Sequence, residues 1–375
     1  MIYLDNAATT KPNKVAIETF NKINAEEYFN PSASYSVSFD LYKKLEEGKK
    51  RILCLLGDER GRLIFTSGAT ESNNLAILGS AFLKQKKYLF SIGEHPSVYN
   101  SAMHLKNMGY NVEFIPLQSN GQIDYVKFEQ MLSDDVCFVS TMLVNNETGA
   151  INDIKLIRAL IDKKCINCTL HVDAVQAFCK IDFNVSNLKI DMCSVSAHKI
   201  EGLKGVGALY VSKASKIKNI NYGGDQESGL RSGTVNAAAN LSFVNGSIEK
   251  YKNLKQNYLY VLELKKYLLN KLNKLDKKDI IVVSDQTNSP YILSIIFGGN
   301  RGETIMRYLS SKQIYIGTGS ACSAAKVGNR VLENMGFNKK QIMGAVRISF
   351  SPNNTKEEID LLIDEIDYYI KNINT

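Results

Sequence analysis

Lys199 stands where a lysine is costly. It follows the short, apolar, β-prone run IDMCSVS (190–196) and precedes Gly202, Gly205, Gly207 and a second apolar run, ALYVS. An ammonium between two buried strands must be paired or lose its proton, so the position suits a reactive amine better than a surface charge. Ser196 and His198 flank it. Three other polar groups occupy comparable places. FTSGATESNN (65–74) sets Gly68, Ala69 and Thr70 where a strand gives way to a helix, and the free N–H groups of a helix start favour a phosphate. A capped helix, with Ser67 or Thr70 near the cap and Glu71 in the first turn, would use the same residues. LHVDAVQAF (170–178) places Asp173 behind an apolar run, with Gln176 three residues on. A carboxylate at that depth needs a cationic or N–H partner, and capping a neighbouring turn would also supply one. GEHPSV (93–98) holds His95 just ahead of a proline that can open a helix, where a histidine can equally be structural.

Strand-like and helix-like runs alternate around these groups, the mark of an α/β layered fold. GRLIFTS, KYLFSI, NVEFIPL, VCFVSTMLV and TLHVDAV read as strands; GATESNNLAILGSAFLK, PSVYNSAMHLKNMG and DIKLIRALIDKKC read as helices. Ligands of open α/β sheets gather where strands end and helices begin, which is where the polar groups above lie. The character changes after about Ser242, where SIEKYKNLKQNYLYVLELKKYLLNKLNKL predicts one long polar-faced helix. The expectation is a large, doubly wound, mainly parallel-sheet domain over 13–255. A smaller α+β domain follows over 256–375, with 1–12 packing against it.

Composition removes several functions. The 46 Lys and Arg against 38 Asp and Glu leave a net charge of +8, but the excess is spread in clusters such as KKLEEGKKR. These suit solvated helix faces, so no direct nucleic-acid role is expected. No run reaches the roughly 18 apolar residues of a membrane span. The opening MIYLDNAATT lacks a basic n-region and a long apolar core, so no secretory leader is expected. Seven cysteines, an odd number, then predict reduced thiols in a cytoplasm. Cys165 and Cys168 form a lone C-x-x-C; a zinc site ordinarily wants a second pair, so no metal is expected and the pair reads as a helix end entering a strand. TGSACSAAKVGNRV (318–331) is rich in Gly, Ser and Ala, which predicts a mobile loop. Cys322 at its centre would be exposed and able to ionise and react, although a lone cysteine is otherwise an inert core residue.

One cofactor uses such groups together. Pyridoxal 5′-phosphate needs a lysine to bind its aldehyde, an acid opposite its pyridine nitrogen and an anion site for its phosphate. Over nearly its full length the chain resembles cysteine desulfurases of the NifS/IscS type, within the class V aminotransferase-like pyridoxal-phosphate enzymes. The likeness rests on YLDNAATT, FTSGATESNN, EHPSV, VNNETGAI, HVDAVQA, SAHKIEGLKGVGALY, GGDQESGLRSGTVN, GSACSA and VRIS, in the family's order. It implies the fold type I pyridoxal-phosphate transferase architecture. It implies that Lys199 binds the cofactor and shuttles protons, that Asp173 pairs with the pyridine nitrogen, and that Gln176 bonds the ring hydroxyl. His95 would stack on the ring and assist proton transfers, and Asn146 would lie near the ring hydroxyl and the substrate. Ala69, Thr70, Ser196 and His198 would hold the phosphate, with Thr234 reaching the phosphate of the other subunit of a homodimer. Arg347 would grip the carboxylate of L-cysteine with its bidentate fork.

The same resemblance makes Cys322 the residue that takes the sulfur as a persulfide and releases L-alanine. The sulfur then passes to an acceptor protein, such as an iron–sulfur scaffold or a tRNA-thiolating enzyme. GSAC with extra loop length matches the NifS/IscS type and not the SufS-like branch. Two departures stand out. After CSA the family commonly continues with something like SLEPS, where this chain reads AKVGNRVL, which bears on the identity of the acceptor. Asp225 in GGDQESG replaces a common glycine or polar residue, a turn change. Another class V enzyme, a selenocysteine lyase or an aminotransferase, would also keep Lys199, Asp173 and His95, but an aminotransferase has no need of Cys322. A non-catalytic scaffold would need neither Lys199 nor Cys322, and both are present.

Overall fold

The computed structural model of the chain describes residues 1–275, 280–284, 287–318 and 329–372. After strand β1 (Ile2–Tyr3) come helices α1 (Lys14–Glu26) and α2 (Ser36–Leu56). The alternating part is β2 (Arg62–Thr66), α3 (Ala69–Gly79), β3 (Lys87–Ser91), α4 (Pro96–Asn107), β4 (Asn111–Ile115) and α5 (Tyr125–Met131). It continues through β5 (Val136–Met142), α6 (Ile154–Lys164), β6 (Thr169–Asp173), β7 (Met192–Ser196) and β8 (Gly207–Val211). The starts of α1, α5 and α6 follow from their sequence. Asn13, Asp124 and Asp153 each accept the backbone N–H three residues ahead, which satisfies one of the donors a helix start leaves open.

Among the described residues, seven strands pair in the order β2-β8-β7-β6-β5-β3-β4. β4, β3, β5, β6 and β7 run parallel, and β8 is antiparallel to both its neighbours. β7 and β8 are buried at every position, as strands of a sheet covered on both faces must be. This is the large, mostly parallel sheet of a doubly wound α/β fold.

Two helices differ from expectation. α3 stops at Gly79, short of Lys84. There the Lys218 carbonyl packs so closely that a Cβ on Gly79 would lie 2.5 Å from it. The single long helix is in fact two, α7 (Ala237–Lys252) and α8 (Leu254–Leu272), parted at Asn253 with φ −107° and ψ 18°. α7 begins ahead of the expected start because Ala237, Ala238, Ala239 and Ser242 are small enough to bury against the core. A polar period carried across a one-residue break hides that break.

The remainder is β9 (Ile280–Val282), β10 (Ile292–Phe297), α9 (Gly302–Ser311), β11 (Ile314–Tyr315), α10 (Arg330–Asn334), α11 (Lys339–Met343), β12 (Ala345–Ser349) and α12 (Lys356–Asn372). β12, β10 and β9 form an antiparallel sheet. β1 pairs in parallel with β11, and Asp5 bridges to Ser349, so the first residues of the chain lie beside its last quarter. One apolar core runs from the large sheet through α7 to β10, β12 and α12. Among the described residues no helix is long and apolar enough to cross a membrane.

Candidate active site

The strand register gathers the site. Thr66 ending β2 pairs with Gly207, which pairs with Ser196 ending β7; Asp173 ending β6 pairs with Met142 and Ser194. The loops leaving β2, β3, β6 and β7 therefore open from one edge of the sheet. They line a cavity of about 860 Å³ whose wall includes Lys199, Asp173, His95, Thr70, Ser196 and Arg347.

Lys199 lies in the 3₁₀ turn Ala197–Lys199 directly after β7. Its Nζ donates to the carbonyls of Ala7 and Ala8 at 2.7 Å each, so the opening segment of the chain receives the amine. Asp173, 5% exposed, accepts Val175 N–H on Oδ1 at 3.0 Å and Asn73 Nδ2 on Oδ2 at 2.9 Å. These donors stabilise a buried carboxylate. His95 caps α4: its Nδ1 accepts Ser97 N–H at 3.2 Å and lies 2.8 Å from Ser97 Oγ. A neutral ring so bonded carries its proton on Nε2. Burial lowers the His95 pKa, Lys199 and Arg330 lower it further, and Asp173 opposes them. His198 is pushed down to about 4 by burial and then by Lys199, with Lys204, Lys180 and His95 adding to it, so it is a neutral donor or acceptor at neutral pH. Nearby Glu94 is pushed well up by burial and by the Asp173 carboxylate.

An anion cradle faces these groups. Gly68, with φ +149° and no neighbour to meet an added Cβ, opens α3. A Cβ on Gly207 would lie 2.8 Å from Gly68 Cα, so the Gly68 turn rests directly against the start of β8. Ala69 and Thr70 supply the first helical turn, and the buried Ser196 Oγ has no hydrogen-bond partner among the described residues. An orphaned hydroxyl costs free energy unless a ligand satisfies it. Glu71 in the same turn is paired with Arg231 at 2.9 Å, which offsets its charge. A lysine amine that can bind an aldehyde, a buried carboxylate, a helix start and a hydroxyl without a partner among the described residues fit pyridoxal phosphate.

The opposite wall comes from distant sequence. Arg347 on β12 is 7% exposed; Nη1 donates to Asn146 O and Nη2 to Asp5 Oδ1, both at 2.8 Å. Its Nε is buried without a partner among the described residues. Asn146 and Gln176 also line the cavity, and Gln176 Nε2 donates to Ala7 O at 2.9 Å.

The structure thus brings together Lys199, Asp173, His95, Ala69, Thr70, Asn146, Gln176, Ser196, His198 and Arg347. Thr234 is exposed and is not part of the cavity wall. Cys322 lies outside the described residues. Cys165 and Cys168 do join the end of α6 to β6, and no group of three potential metal ligands occurs among the described residues. Sequence reasoning missed Asn73, which orients Asp173, and two groups of the wall. Glu147, beside Asn146, is pushed up to about 7 by burial, against Asn329, Arg347 and Arg330. Arg330 donates to Ile92 O at 2.7 Å and to Glu94 O, and its guanidinium lies 3.8 Å from the Tyr99 ring centroid. It holds the loop that ends in His95. The one available signal was its place in AKVGNRVL, where the chain departs from the family pattern.

Comparison with known proteins agrees with this geometry. The model of the class V aminotransferase family matches residues 2–362. A NifS/IcsS protein homolog of Lactobacillus delbrueckii subsp. bulgaricus is 36% identical, covering 100% of this chain and 99% of the relative. The cysteine desulfurase IscS of Clostridium botulinum is 32% identical over 99% of this chain and 94% of its own. The solved structure of a NifS-like protein superposes with a TM-score of 0.92 at 30% identity, covering 98% of this chain and 99% of that one.

Proposed function

This chain belongs to the class V aminotransferase family, and we propose that within it the protein is a pyridoxal-phosphate-dependent cysteine desulfurase. L-Cysteine is its substrate, L-alanine its product, and Cys322 the thiol that receives the sulfur. The observation that carries the reading is one cavity in which Lys199, Asp173 and the start of α3, backed by the unpartnered Ser196 hydroxyl, face a buried Arg347. Bound there, pyridoxal phosphate supplies an electron sink that weakens the bonds around the amino acid's α-carbon.

The rest is the work of the chain's own residues. Lys199 Nζ, held by the carbonyls of Ala7 and Ala8, would bind the cofactor's aldehyde and would hold or release a proton at Nζ. Asp173 would pair with the pyridine nitrogen and favour its protonated form. Ser196, His198, Ala69 and Thr70 would take the phosphate, while Gln176 would donate to the ring oxygen. His95 would face the ring and, with Nδ1 engaged by Ser97, would hold a proton at Nε2. Arg347, with Nε still to be satisfied, binds the substrate carboxylate beside Asn146. In the transfer the Cβ–S bond of cysteine breaks and an S–S bond to Cys322 Sγ forms. Cys322–SH and cysteine become Cys322–S–SH and alanine, with no outside oxidant or reductant.

We assign 13–255 to the cofactor-binding domain, and 1–12 with 256–375 to the smaller domain carrying Cys322. The pairing of β1 with β11 and of Asp5 with Arg347 supports that division. Thr234, exposed in the single chain, is assigned to the phosphate of a second subunit in a homodimer. A cytoplasmic setting and an acceptor protein for iron–sulfur assembly or tRNA thiolation complete the reading. The test is alanine and sulfide formation from L-cysteine by the holoenzyme with excess thiol. Equal yields of the two are expected; a cofactor-loaded protein that makes neither overturns the proposal.

A further inference from the structure

Lys180 is a buried cation that the chemistry above does not use. It sits in the helical turn after β6, four residues beyond Gln176, and is 5% exposed. Its Nζ donates to Gln176 Oε1 at 2.8 Å, and the ammonium lies 5.8 Å from the Tyr291 ring centroid. On the other side of the same amide, Gln176 Nε2 donates to Ala7 O at 2.9 Å, the carbonyl that also receives Lys199 Nζ at 2.7 Å. An amide can present either its oxygen or its N–H groups to a ligand, and a side chain free to flip offers both. An ammonium can only donate, so the oxygen of Gln176 must face Lys180 and the NH₂ must face Ala7 and the cavity.

We propose that Lys180 is a positioning residue that locks the Gln176 amide with its N–H groups toward the cavity, where they donate to the ring oxygen of pyridoxal phosphate. The inference rests on the reading of the cavity as the site of that cofactor. Burial pushes the Lys180 pKa down to about 7, with Lys199, Lys250 and Arg347 lowering it and Glu201, itself paired to Lys250, opposing them. Above that pH the neutral amine still keeps N–H groups to offer Oε1, but it no longer forbids the flip. A side chain held only for packing could be replaced by any residue of similar volume. One held to orient an amide must be replaced by a donor.

The experiment is a double-mutant cycle on cofactor affinity, measured by titrating pyridoxal phosphate into the apoprotein by equilibrium dialysis. Lys180→Met keeps the length of the stem and removes the donor, and should weaken binding about tenfold, the scale of one hydrogen bond to a charged group. Gln176→Ala should weaken it at least as much, and the double variant should be no weaker than Gln176→Ala alone. Lys180→Arg, which still donates, should stay within about threefold of wild type. Losses that multiply in the double variant, or unchanged affinity in Lys180→Met, overturn the inference while leaving the cavity's cofactor intact. If Lys180→Met does not fold by circular dichroism, the same cycle with Lys180→Arg decides: a tenfold loss in that variant overturns it. Failure of the wild-type apoprotein to take up pyridoxal phosphate overturns the cavity reading and this inference together.

Discussion

The two walls of the cavity are built in opposite ways. The cofactor wall comes from consecutive strand ends of one sheet, and its groups Asp173, Ser196 and Lys199 all lie within 27 positions. Their placement needs only that β6 and β7 pair in parallel and stop at the same edge. The wall opposite, the one proposed to take the substrate, has no such local logic. Arg347 is held by Asp5, 342 residues earlier, and by Asn146, 201 residues earlier. A Cβ on Gly317 would fall 2.7 Å from Asp5 Oδ1 and 3.1 Å from Arg347 Nη2, so a larger residue there would have to displace the Asp5–Arg347 pair. One wall is set by sheet register, the other by long-range packing. The division predicts that damage to the first strikes cofactor and chemistry together, whereas damage to the second spares the cofactor.

The largest effect should come from the first wall. Lys199→Ala should reduce alanine formation by roughly 10⁴-fold or more and abolish borohydride fixation of the cofactor to the protein. Mass spectrometry of reduced wild type should place the pyridoxyl group on Lys199, and its recovery on another lysine would break the assignment. Cys322→Ala should be nearly as damaging to turnover. This variant should bind cofactor and L-cysteine with spectral changes like wild type, yet form no persulfide and no stoichiometric alanine from cysteine. Full desulfuration by it would remove Cys322 from the reaction.

Arg347→Ala should be milder and more selective. Loss of a charge-assisted carboxylate contact amounts to about 2–3 kcal/mol, so KM for L-cysteine should rise roughly a hundredfold. Cofactor affinity should stay within about threefold, and a large drop in it would mean that the walls are not separable. The smallest effect is on the pH profile. Because burial, Lys199 and Arg330 lower the His95 pKa, the ring stays neutral until the pH falls below the ordinary histidine range near 6.5. The acid limb of kcat/KM should therefore lie below that range. An acid limb above it would assign the titration to another group.

Most of the first wall was legible in the sequence alone. Each of its strands is a short apolar run ending in a polar residue, and parallel order forces those ends to one edge. Helix capping is local in the same way: Asn13, Asp124 and Asp153 each bond the N–H three residues ahead. Two histidines show where this stops. His171 and His95 both belong to strand-edge motifs, yet His171 is buried inside β6 between Ser140 Oγ at 2.8 Å and Ser194 Oγ at 3.0 Å. Burial drives its pKa down to about 3. His95, just past β3, opens onto the cavity. Position relative to the strand end, not residue type, separates a core histidine from one that opens onto the cavity.

The sequence by itself determined the alternation, the sheet edge and the lysine, acid and anion-binding groups on it, because these depend on local period and on strand ends. Only the tertiary structure decided what faces them. The partners of Lys199 are Ala7 and Ala8, those of Arg347 are Asp5 and Asn146, and Arg330 braces the His95 loop. The physical reason is the same in each case. A buried cation must find its acceptors wherever the folded chain brings them, and segments hundreds of residues apart carry no shared period that could announce the meeting.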